Sequence, residues 1–111
     1  MVIHVLLIPA DNDNAVTMIG TEATLDAFQE IVGGLIEVVT LSEVGRHSLY
    51  FNEEGKLLHL PFNSRATWLL HKGTNSVLDV IVGDAFLAGP VDDDGNDTNV
   101  DLAVMQSVPG L

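Results

Sequence analysis

A chain of 111 residues in which 47% of side chains are hydrophobic is long enough to bury a core and too apolar to be a solvated, disordered tail. It has no cysteine, which excludes a disulfide framework and a thiolate zinc site. Its 16 acidic residues against 4 basic ones give a net charge of −12, which repels nucleic-acid phosphates and anionic lipid heads.

Val2 to Ile8 is an apolar run of strand length, ended by Pro9 and the polar stretch Asp11 to Asn14. No basic segment precedes it, and a membrane helix needs roughly 20 apolar residues, so a cytoplasmic protein that avoids membranes is expected. Thr24 can cap a helix through Val32, with Leu25, Phe28, Ile31 and Val32 as its apolar stripe and Asp26 in its first turn. Gly33 and Gly34 stop it, and Leu35 to Leu41, rich in β-branched residues, reads as a second strand. Leu49 to Leu60 has two apolar runs about Asn52-Glu53-Glu54-Gly55, the chemistry of a turn closed by glycine, and predicts a hairpin.

Pro61 breaks that pattern, and Asn63 can cap a second helix to about Lys72, with His71 and Lys72 favourably at its C-terminal end and Gly73 beyond. Val77 to Val82 is almost wholly apolar and predicts a central strand; Ala85 to Ala88 follows after Gly83-Asp84. Val91 to Asn99 is an acidic loop, and the tail Val100 to Val108 is apolar enough for one more strand, which could pair with a second copy of the chain. The order β-α-β-β-β-α-β-β predicts one α+β domain over residues 1–111: a single mixed sheet of five to seven strands with both helices packed on one face.

The stretches Leu35-Ile36-Glu37-Val38-Val39, Leu49 to Leu57 (LYFNEEGKL), Leu60 to Leu70 (LPFNSRATWLL), Asp79 to Ala85 (DVIVGDA) and the acidic Asp92 to Asn96 carry a resemblance. In that order, and most specifically in Asn-x-Arg-Ala-Thr, the chain resembles the domain of unknown function 3846 family over residues 34–98. That family occurs in phages, mobile elements and actinobacterial genomes. The resemblance therefore implies a fold and a genomic setting, with no established activity. Some phage members adjoin counter-defence modules, which implies an accessory role of that kind by association.

The charge is unevenly placed. Residues 1–45 and 73–111 each carry seven acids and no lysine or arginine, −14 together, while residues 46–72 hold Arg46, Lys56, Arg65 and Lys72 and carry +2. Two surfaces follow. One is the acidic face of Asp92, Asp93, Asp94 and Asp97, whose clustered carboxylates suit a basic host protein such as one that handles nucleic acid; direct nucleic-acid binding is disfavoured. The bland reading is a solvated loop that keeps the protein soluble.

The other surface is the N-terminus of the second helix. A helix start readily takes an anion, Arg65 could add a forked donor, and Tyr50 or Trp68 a stacking face. With Asn63 and Thr67 these would form a pocket for an anionic nucleotide. The competing reading makes Asn63 only a cap, Arg65 a salt-bridge partner of Glu53 or Glu54, and Trp68 core. The four histidines lack zinc spacing, and an EF-hand register on the acidic loop puts Pro90 first and Asp101 twelfth, so neither metal nor cofactor is expected. There is no P-loop, G-x-S-x-G or G-x-G-x-x-G, and binding rather than catalysis is the expectation.

Overall fold

The computed structural model describes residues 1–77, 79–106 and 108. The first apolar run forms β1 (Val2–Ile8), and the chain returns beside it as β2 (Thr17–Glu22), antiparallel, with Val5 opposite Ile19. Helix α1 (Leu25–Val32) starts where Thr24 accepts the Ala27 N–H and ends at Gly33, whose φ of 78° is the left-handed cap the sequence calls for. Next come β3 (Ile36–Leu41) and β4 (His47–Asn52), then α2 (Ser64–Thr74), β5 (Ala85–Ala88) and a single turn, α3 (Leu102–Met105).

The five strands form one sheet in the order β2-β1-β5-β4-β3, so the last strand in sequence lies at the centre. Its architecture is α+β, with a strand count inside the expected range. Every pairing is antiparallel, so the sheet is not mixed. Nor do the helices share a face. In a strand, neighbouring side chains point to opposite sides. Leu6, Leu49 and Leu87 join Ala66 and Leu69 of α2 in one core, while Val5, Tyr50 and Phe86 join Phe28 and Val32 of α1 in another. The sheet is covered on both sides, which is why every residue of β4 and β5 is buried.

The expected hairpin at Asn52–Gly55 is displaced. β4 pairs with β3 through the turn Ser42–Arg46, and with β5 on its other edge, leaving no free edge for Leu57 to Leu60. Those residues coil into a turn instead, the Leu60 N–H donating to the Gly55 carbonyl, and Leu57 and Leu58 face solvent. The expected central strand at Val77–Val82 is also absent from the sheet; Val82 makes only an isolated bridge to Phe62. Ile81 bonds to the start of α2 instead: its N–H donates to Thr67 Oγ1 and its carbonyl accepts the Asn63 N–H. The tail forms α3 rather than a strand, because Asp101 accepts the Ala103 N–H and caps it. Leu78 and Ser107, which those two expected strands included, lie outside the described residues.

Candidate functional site

Asn63 is buried, and each polar atom of its carboxamide has a partner inside the fold. Oδ1 accepts the Ala66 N–H at 3.0 Å, and Nδ2 donates to the carbonyls of Ile8 and Gly83, both at 2.9 Å. It is a cap that also ties α2 to the end of β1 and the entry to β5. Arg65, also buried, aims its guanidinium inward: Nη2 lies 2.7 Å from the Pro9 carbonyl, 2.8 Å from that of Asn14 and 3.1 Å from that of Asp11. No carboxylate partners it among the described residues. Its charge is met by carbonyl dipoles, which fold the 9–14 segment over the helix start. Thr67 is buried against Ile81.

Tyr50 is on the other side of the sheet. Its ring stacks on Phe86 at 4.8 Å and 9°, Phe28 leans on both, and its hydroxyl donates to Asp97 at 2.5 Å. Trp68 is half exposed on the outer surface of α2, with the Lys72 ammonium 4.8 Å from its ring centre. Asn63, Arg65 and Thr67 are thus brought together, buried, with Trp68 outside them and Tyr50 across the sheet. They do not line a common cavity.

Of the acidic face, Asp92, Asp93 and Asp94 are exposed, while Asp97 is partly covered and holds Tyr50. Asp92 Oδ1 accepts the N–H groups of Asp94 and Asn96, which fixes the turn and leaves the carboxylates of Asp93 and Asp94 pointing to water. Among the described residues no group of three or more acidic or histidine side chains could hold a metal ion. No helix among them is long and apolar enough to cross a membrane.

A feature not anticipated from the sequence lies on the α2 side of the sheet, against β3. Two adjoining hollows of about 160 Å³ each share Glu37, Phe51 and Asp79 as lining. Glu37 and Phe51 are cross-strand partners and so share a face. Lys56 and Glu53 border one hollow, His71 and Leu70 the other. Lys56 Nζ meets Asp79 Oδ1 at 2.5 Å; that bond, together with the Val80 N–H, holds the Asp79 carboxyl below the usual carboxylate range. His71 Nε2 lies 2.5 Å from the Asp79 carbonyl. The sequence hid this groove because its walls come from β3, the end of α2 and Ser76, Asp79, Val80 and Val82 beyond it, and only the fold brings them together. Glu37 and Asp79 gave a sign, each a carboxylate inside an otherwise largely apolar run.

The family's profile matches residues 3–109, nearly the whole chain. The chain belongs to the family described as Domain of unknown function (DUF3846). No curated protein matches this DUF3846 chain. Among solved structures, it is similar to one described as the crystal structure of small RNA methyltransferase HEN1, with 20% identity and a TM-score of 0.65. The match covers 94% of this chain and 15% of that one, so the chain spans a small part of that protein's length. At that identity the likeness concerns the fold alone.

Proposed function

We propose that this DUF3846 domain is a binding protein of phage or mobile-element type, acting in the cytoplasm of a bacterial host, that engages a basic host protein through its acidic surface. A counter-defence or host-takeover role fits the setting in which resembling proteins occur. The observation that carries the reading is how little of the charge is compensated. All acidic side chains except Asp97 are exposed, and the described residues hold only two ion pairs, Met1–Glu22 and Lys56–Asp79. One of the four basic residues, Arg65, is buried among carbonyls and offers no positive surface. Such a field attracts a cationic partner from a distance and accelerates encounter.

The test is capture of partners from a host lysate on the immobilised domain, followed by association kinetics with the captured protein at rising salt. The on-rate is expected to fall about tenfold or more across the range in which the Debye length shrinks from ~30 to ~3 Å. The combined variant Asp92→Asn, Asp93→Asn, Asp94→Asn, which preserves the Asp92 oxygen that fixes the turn, should slow association. An on-rate indifferent to salt and to this variant would sink the reading.

A further inference from the structure

We infer that the free edge of β3 is a docking site for an extended peptide of a partner in which lysine or arginine alternates with aliphatic residues. This rests on the acidic-surface reading above and gives it an address. Among the described residues β3 ends the sheet and pairs only with β4. The Glu53 N–H donates to the Leu35 carbonyl, so Leu35 points its backbone toward β4, and by alternation so do Glu37, Val39 and Leu41. Ile36, Val38 and Thr40 therefore direct their N–H and C=O groups outward, where the described structure gives them no partner.

Edge strands are ordinarily blunted by lysine, proline, a bulge or a covering loop. β3, Ile-Glu-Val-Val-Thr-Leu, contains no lysine, proline or glycine, and Val38 is half exposed. What it carries is a carboxylate. A strand added along this edge would alternate its side chains between the two faces. On the α2 face they would fall beside Glu37 and the groove lined by Phe51 and Glu53, where a cationic head finds the two glutamates, Asp79 being already paired with Lys56, and its stem finds an aromatic ring. On the other face they would lie beside Val38 and Ile36, which suits an aliphatic residue. The same charge opposes self-pairing, because a second copy brings another −12. The edge is open to a cationic strand and guarded against its own kind.

The probe is a fluorescent peptide, two repeats of Lys-Val-Arg-Val, titrated into the full chain at about 50 mM salt, with backbone amide exchange measured on the complex. Binding should slow exchange at Ile36, Val38 and Thr40. Val38→Pro removes an outward N–H and no ladder bond, and Glu37→Lys reverses the charge; each should weaken binding about tenfold or more. Should Val38→Pro fail to fold by circular dichroism, Glu37→Lys decides, since that side chain is exposed. Unchanged binding by both variants, with loss in the Asp92, Asp93, Asp94 variant, overturns the edge site while leaving the acidic-surface reading intact. Equal binding of a glutamate-for-lysine-and-arginine peptide overturns the charge argument. Self-association in ultracentrifugation that Val38→Pro abolishes assigns the edge to a second copy and overturns the proposal. No binding of the basic peptide, together with salt-indifferent partner association, removes both readings.

Discussion

Tyr50 is a phenol in a three-ring cluster with Phe28 and Phe86, its hydroxyl on a carboxylate. Burial first, then the Asp97 hydrogen bond and the Asp97 charge, push its pKa well above the ordinary value near 10. The unfolded chain releases that proton near pH ~10, while the folded protein keeps it. The contribution is therefore complete below pH ~10 and is lost as pH rises toward the folded value, with a slope of up to about 1.4 kcal/mol per pH unit. Urea unfolding at pH 9 to 11 should show a steeper loss in the wild type than in Tyr50→Phe. Parallel curves would mean that the Tyr50 hydroxyl is neither buried nor bonded to Asp97 in solution. Other residues show how two readings of one side chain were separated by the fold. Asn63 is a cap, as its place before α2 suggested, yet its amide also binds the carbonyls of Ile8 and Gly83, residues remote in sequence. Arg65 turned out to answer carbonyls in the 9–14 segment, and nothing in the local sequence names those partners.

At the level of elements, α2 approaches the sheet at a glycine. A Cβ on Gly73 would stand 2.7 Å from the Leu41 Cβ, closer than real carbon contacts allow. Gly73→Ala should gain a few tenths to 1 kcal/mol in helix propensity but lose more to the clash, a net destabilisation of about 1–3 kcal/mol measurable by urea unfolding. Stabilisation would mean that helix and strand separate at little cost. The sequence places Gly73 just beyond the helix, but the helix continues through it to Thr74, and Asn75 adopts the left-handed cap at φ 53°. Helices were the legible elements here, since Thr24 and Asn63 declare their starts by side-chain chemistry within three residues. Strands were less so. β2 escaped notice because it is an edge strand that buries no residue fully and includes Gly20, so it lacks the alternation that betrays a half-buried strand. Residues 77–82 misled in the opposite way. Ile81 is buried beside α2 while Val77 and Val80 are exposed, and Thr67 and Asn63 take the Ile81 backbone bonds a neighbouring strand would have taken.

At the scale of the whole molecule, the uncompensated carboxylates repel one another. Adding salt to about 0.5 M should raise the thermal midpoint by several degrees, on the order of 1 kcal/mol, through screening alone. A midpoint lowered by sodium chloride would contradict the picture of a self-repelling surface. The candidate site was legible only as charge: the acidic loop stood out in the sequence, whereas the groove beside β3 exists because three distant segments meet. The placing of β5 has a consequence of a different kind, in time rather than space. β1 with β2, and β3 with β4, can each close as a local pair soon after they are made, but residues 85–88 alone join them into one sheet. During synthesis the two halves must wait with their inner edges bare until about three-quarters of the chain has emerged, and the final step closes long loops at once. Folding should therefore be slow for a domain of this size. The interval before β5 arrives is when the chain is most exposed to aggregation.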